Sequence, residues 1–217
     1  TRGGLVLDAI GSRLDNVAAE IDFDGDHVEI KGMTANFGKS RFEASGLVHL
    51  GKRMEIDIAV RSRSLALADL GGLVVAGESM TVSGTGSMDV AARGFYPDLE
   101  YRGSVTLSDA SVEHPMLRSP VRDISGTVEL SGNRVSTKAL KMSFLGSPAE
   151  VRGEITDPLD PKFDLSASLA DVDVSQVLAL FAPDLAKNVA GRGRVEAALA
   201  GTTGETWTNG SFDLAGV

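Results

Sequence analysis

Apolar and polar residues alternate along most of this chain. Val17, Ala19, Ile21 and Phe23 alternate with Ala18, Glu20 and Asp22, and Phe42, Ala44, Gly46, Val48 and Leu50 with Glu43, Ser45 and His49. Met54, Ile56, Ile58 and Val60 continue the habit, as do Met80 to Val90 and Leu99 to Leu107. A period of two predicts strands with one apolar and one wet face. Asp24-Gly25-Asp26 and Ser131-Gly132-Asn133 are turns too short to join anything but antiparallel neighbours, so the pattern predicts a meander. One stretch has helical spacing. Ser175 is expected to cap a run carrying Val177, Leu178, Phe181 and Leu185, and Pro183-Asp184 to interrupt it and open a second short turn. The stretch 65–75 is broken by glycines and fits a helix or a loop.

The chain also repeats itself. A shift of 107 positions lays 14–110 over 121–217 without a gap. Six glycines coincide, among them Gly25 with Gly132, Gly46 with Gly153 and Gly94 with Gly201. Apolar positions coincide in phase: Ile21 with Val128, Phe23 with Leu130, Val28 with Val135, Phe37 with Phe144, Ile56 with Phe163, Ile58 with Leu165, and Leu107 with Leu214. A slip coincides too. Val28 and Ile30 are even-numbered, while Met33, Ala35 and Phe37 are odd; in the second copy Val135 and Thr137 give way to Leu140, Met142 and Phe144. A one-residue slip that keeps strand character predicts a β-bulge or a strand crossing between faces. The expected fold is mainly β. It is a long antiparallel curled sheet, an open β-groove or β-taco, of two repeats of about 107 residues, with one or two short helices. Each repeat is expected to hold six or seven strands of roughly 7 to 10 residues.

Composition narrows the function. Acidic residues exceed basic ones, 30 against 21, for a net charge of −9, which opposes nucleic-acid binding. There is no cysteine and there are only 3 histidines, so no thiol nucleophile and no cysteine metal site can exist. Gly is 25 of 217 and aromatics only 5%, which favours tight turns and small aliphatic side chains. The chain starts at Thr1 and ends inside strand-like sequence, and it reads as a fragment of one elongated β-groove domain.

Three stretches carry a resemblance. They are Gly103 to Val112 followed by Pro115 to Leu130, then Phe144 to Ile155, and Leu169 to Leu178 followed by Gly191-Arg-Gly-Arg-Val-Glu196. In order and spacing they resemble the AsmA-like family of Gram-negative bacteria, of the AsmA, TamB and YhdP type. The resemblance implies a periplasmic, inner-membrane-anchored protein with an apolar β-groove. It implies phospholipid carriage towards the outer membrane in outer-membrane biogenesis, with an outer-membrane assembly protein as a possible partner.

The candidate chemistry points the same way. Asp22-Phe-Asp24-Gly25-Asp26 resembles a calcium loop, but the second copy keeps the turn and loses the acids, so a hairpin is expected. Gly84-Thr-Gly86 and Gly191-Arg-Gly193 precede strands and are no phosphate cradle. His27, His49 and His114 are scattered, and Asp171/Asp173 and Asp157/Asp160 lack the aromatic platforms of a sugar-cleaving site. No catalytic residue, cofactor or metal is expected. The site is instead the apolar face, expected to take an acyl-chain lipid by tail burial alone. In the first copy its lining is Ile21, Phe23, Val28, Phe37, Val48, Ile56, Ile58, Val82, Val90, Val105 and Leu107. In the second it is Val128, Leu130, Val135, Phe144, Val151, Ile155, Phe163, Leu165, Val195, Phe212 and Leu214. Val177, Leu178, Phe181 and Leu185 are expected to cap the sheet or gate the groove. The rival expectation is a chaperone module that receives a client strand on its sheet edge by β-augmentation.

Overall fold

The computed structural model describes residues 3–7, 12–69, 80–114, 119–157, 160–181, 183–202 and 205–215. The chain is mainly β. Its strands are β1 (Gly3–Leu7), β2 (Ser12–Asp24), β3 (His27–Phe37), β4 (Ser40–Leu50), β5 (Met54–Ala66), β6 (Thr81–Phe95), β7 (Asp98–Glu113), β8 (Val121–Gly132), β9 (Arg134–Phe144), β10 (Ser147–Thr156), β11 (Lys162–Asp173), β12 (Arg192–Thr202) and β13 (Thr206–Ala215). They follow one another in sequence order through one antiparallel sheet that does not close. Two short helices, α1 (Val174–Phe181) and α2 (Pro183–Ala186), lie between β11 and β12. In the stretch 65–75, Leu67–Asp69 is helical and 70–75 lies outside the described residues.

Two compact units divide the chain. The first is Thr1–Glu78 with Ser83–Leu107 and Glu129–Asn133; the second is Ser79–Val82 with Ser108–Val128 and Arg134–Val217. Elements of the one recur in the other at the 107-residue offset. β3 and β9 start and end 107 positions apart, as do the first residues of β4 and β10 and the last of β6 and β12. From β2 to β13 the strands run from 10 to 16 residues, mostly longer than the alternation predicts. The reason is that strands pass through bulges, where the alternation breaks but the hydrogen-bonded ladder resumes.

The bulges are the structural form of the phase slip. In β3 the pairs Ile30↔Gly46 and Met33↔Ala44 set two residues of β3 against one of β4. In β9 the pairs Thr137↔Gly153 and Leu140↔Val151 do the same, 107 residues on. The extra residue restores the phase, so that Val28, Ile30, Met33, Ala35 and Phe37 share one face with Phe42, Ala44, Gly46 and Val48. A second bulge also recurs, between Ser62 and Leu65 of β5 and between Leu169 and Val172 of β11. Gly46 and Gly153 have φ of +149° and +127°. A Cβ on Gly46 would run into the Asp57 carbonyl, and one on Gly153 into that of Asp164. Here the need for glycine is steric as well as conformational.

Buried apolar side chains are few among the described residues. In the first unit they are Ala35, Leu65 and Leu67. In the second, Val172, Val177 and Val195 form a cluster against which Leu145 and Leu169 pack. Leu65 and Val172 are equivalent by offset, as are Leu67 and Val174, and all four are buried. The core of each unit therefore sits where a strand gives way to helix. Ser175 is not the residue that caps α1. Asp173 Oδ1 accepts from the Ser175 amide at 3.0 Å and from the Ser175 hydroxyl at 2.7 Å, so Asp173 closes the open amides of the first turn. Pro183 opens α2, as the missing N–H of proline permits at a helix start.

The two kinds of glycine separate experimentally. Gly46→Ala is expected to destabilise the chain by about 3 kcal/mol, because Cβ and carbonyl cannot both fit. At Gly25, φ is +62° and nothing lies within 4 Å of a built Cβ, so Gly25→Ala keeps only a conformational cost. That cost is about 1 kcal/mol, and urea unfolding of the two variants measures both. Ser62 makes a third case. It is 2% exposed, and its hydroxyl has no partner among the described residues. The equivalent residue in the second copy is Leu169. Ser62→Ala is expected to raise the urea midpoint, by up to about 1 kcal/mol in stability.

Candidate functional site

Directly opposed residues of antiparallel strands lie on the same face, so the strand register assembles the apolar face row by row. In the first unit one row runs Phe23, Val28, Val48, Ile56, Gly94. The next runs Ile21, Ile30, Gly46, Ile58, Ala92, and a third Ala19, Met33, Ala44, Val60, Val90. In the second unit Val135, Ile155, Phe163 and Gly201 make one row, and Leu140, Val151, Ala167, Ala197 and Gly210 another. Glycine and alanine alternate with larger aliphatics, which leaves the rows shallow rather than filled.

Burial along the first unit's face is graded. At the β2–β3, β4–β5 and β6–β7 turns, Phe23 is 73% exposed, Leu50 50% and Tyr96 62%. Val28, Val48, Ile56, Ile58 and Val90, in the rows above, are half-buried. At the opposite end Leu65 is 1% exposed. The face is sealed beside the helical turn and open at the hairpin turns. In the second unit Ile155 and Phe163 are half-buried, while Val172 and Val195 are sealed in the cluster.

The expected lining residues thus divide. Phe37, Val82, Val105, Leu107, Val128, Leu130, Val135, Phe144, Val151 and Leu165 are half-buried on their strands. Ile21 and Phe23 are exposed. Val195 differs from the expectation: it is 5% exposed and belongs to the sealed core, because α1 lays Val177 over it. Val177 is likewise a core residue, which is the sheet-capping role, and Leu178 is half-buried. The side chains of Phe181, Leu185, Phe212 and Leu214 lie outside the described residues.

The other face carries charge in opposed pairs. Arg61 Nε donates to Asp89 at 2.8 Å, and Arg93 Nε to Asp57 at 2.8 Å, each directly across β5 and β6. Lys31 Nζ lies 2.6 Å from Asp22 and 3.8 Å from Glu20. The Asp22 carboxylate, by hydrogen bond and by charge, holds the Lys31 ammonium above its ordinary range. Such exposed pairs add little stability, but they keep this face wet.

Carboxylates fasten the sealed ends. Asp69 Oδ2 accepts from the Lys39 amide at 2.8 Å, the Ser40 amide at 2.9 Å and the Ser40 hydroxyl at 2.7 Å, which ties the β3–β4 turn to the helical turn. In the second unit the equivalent Ser147 donates to the Asp171 carbonyl at 3.1 Å. Asp171 is in turn forked by Arg192, Nε to Oδ1 at 2.8 Å. That guanidinium, by hydrogen bond and then by charge, holds the Asp171 carboxyl below the ordinary carboxylate range. The Ser175 hydroxyl does the same for Asp173.

Histidine is where sequence spacing misleads. His27 and His49 are 22 residues apart but directly opposed across β3 and β4, with ring nitrogens 3.0 Å from each other. Asp26, in the β2–β3 turn, reaches both. The alternation could have located them. A turn that pairs Phe37 with Ser40 pairs residues summing to 77, the bulge lowers the sum by one, and 27 and 49 sum to 76.

No helix among the described residues is long and apolar enough to cross a membrane. In comparisons with known proteins, the chain matches no family model, no curated protein and no solved structure.

The Arg192 fork sets a pH dependence. Because Asp171 has a depressed folded value, the unfolded chain binds more protons in acid. Its contribution is therefore present above about pH 3.9, the ordinary aspartate value, and is lost as pH falls through the folded value. Carboxyl NMR titration is expected to place Asp171 below that range in the native chain and to return it there in Arg192→Ala. The native chain should also lose stability more steeply in acid than the variant.

Proposed function

We propose that the chain is a non-enzymatic, lipid-carrying β-groove segment of a periplasmic bridge that delivers phospholipid towards the outer membrane. The observation that carries this reading is the apolar face, whose aliphatic rows stay half-buried and whose hairpin end is open. Each methylene that leaves water for such a surface is worth roughly 0.8 kcal/mol. A fatty tail therefore gains enough to bind with no polar contact, while its headgroup stays in solvent. Small residues along the rows give the tail room. The paired charges and acidic excess of the opposite face keep the protein off anionic membrane surfaces. The order and spacing of the AsmA-like stretches support the same reading, and with it a periplasmic location and an inner-membrane anchor in the full-length protein.

The test is native mass spectrometry with lipid extraction on detergent-free protein, together with Ile58→Asp. Ile58 is half-buried between Gly46 and Ala92 in the row. The native chain is expected to carry about one phospholipid or more. The variant is expected to keep its β circular dichroism and lose the lipid. A native chain that is monodisperse, folded and lipid-free would sink the lipid reading, and strand-peptide binding by that protein would favour capture at the edge. A variant that unfolds would mean that the face at Ile58 is a closed core.

A further inference from the structure

We propose that Asp26, His27 and His49 form a binding site for one divalent transition-metal ion of the zinc class. One ligand atom from each of the three lies within 4.8 Å of the other two. The closest approaches are His27 Nε2 to His49 Nδ1 at 3.0 Å, His27 Nδ1 to Asp26 Oδ1 at 2.9 Å, and His49 Nε2 to Asp26 Oδ2 at 3.2 Å. Around a tetrahedral zinc with ligand bonds of about 2.0–2.1 Å, ligand atoms stand about 3.3 to 3.4 Å apart. The three short contacts use different nitrogens of each ring, so the rings must turn to bring one nitrogen apiece, now within 4.8 Å of the other two ligand atoms, to that spacing.

The backbone holds these residues together without the ion. His27 and His49 are register partners, so their Cα atoms are fixed by the ladder. Asp26 belongs to the tight turn made by Gly25 at φ +62°, and its carbonyl accepts from the Leu50 amide at 2.7 Å. That bond ties the turn to the end of β4 beside His49. The rings meet edge to face with centroids 4.3 Å apart, so a nitrogen of each lies beside the other ring. Two imidazoles and a carboxylate suit zinc, copper or nickel and disfavour calcium or magnesium, which prefer all-oxygen sites. All three side chains are at least a third exposed, so water completes the coordination and the ion enters freely.

The second copy lacks the site. The equivalent positions are Asn133, Arg134 and Thr156, which keep the hairpin and supply no such set. The ligands are therefore not a by-product of the fold. Bound here, the ion would clip the β2–β3 turn to the end of β4, at the open end of the first unit's apolar face.

Zinc titration of the tag-free chain by calorimetry tests the site, with thermal melting as a second readout. One zinc per chain is expected, with a raised melting temperature. His27→Ala and His49→Ala should weaken binding at least about tenfold and abolish the melting shift, whereas His114→Ala should leave both intact. His49→Gln removes the ligand while keeping a polar side chain of similar reach, and circular dichroism checks that each variant is folded. Absence of saturable binding by the native chain, or unchanged binding by folded His27→Ala and His49→Gln, overturns the proposal.

Discussion

At Gly46, and again at Gly153, a carbonyl of the neighbouring strand stands where any other residue would place its Cβ. This close approach fixes much else in each unit. It sits opposite the bulge that shifts β3 and β9 by one residue, and the shift brings two out-of-phase apolar runs onto one face. Without it Met33, Ala35 and Phe37 would turn to the wet side, and the rows that join them to Ala44 and Phe42 would be lost. The same geometry returns 107 residues later, down to the carbonyls of Asp57 and Asp164 that fill the space. Two stretches with few identities thus reach the same backbone through a handful of glycines.

In the first unit polar fastening and apolar exposure lie at opposite ends of the strands, and the second unit repeats the fastening. Asp69 in the first unit, and Arg192 with Asp171 in the second, gather backbone donors and acceptors around buried Ser40 and Ser147. Those ends hold the few sealed side chains. The hairpin ends carry Phe23, Leu50 and Tyr96 in the open. A core confined to one end stabilises the unit without filling the rest of the face, and this separation lets one sheet be both firm and receptive.

The alternation, the glycine turns, the bulge and the repeat were all legible in the sequence, because each is a local consequence of period, φ or register. Strand length was not, since a bulge looks like a strand end when only alternation is counted. The cap of α1, Asp173, lies two residues before the serine that the helical spacing points to. Serine and aspartate both cap helices, and only the geometry shows that Asp173 accepts while Ser175 donates. Val195 lay in phase with the half-buried rows, yet α1 covers it, and no period in β12 records what an intervening helix will do. His27 and His49 carried no motif. Their meeting depends on register arithmetic through a bulge, which becomes reliable only once the turn is known.

The strand order has a consequence for how the chain finds this structure. Every strand pairs with its neighbours in sequence, so contacts close over short loops. His27 and His49, at the far end of the β3–β4 hairpin, are only 22 residues apart. Glu55 and Phe95, which pair across β5 and β6, and Lys162 and Thr202, which pair across the inserted helices, are farther apart, at 95 − 55 = 40 and 202 − 162 = 40 residues. Low contact order favours rapid folding, and a sheet built this way can start from any hairpin and grow from both sides. Its slow steps belong where the chain between partners is longest, at the β5–β6 and β11–β12 joins, one in each repeat.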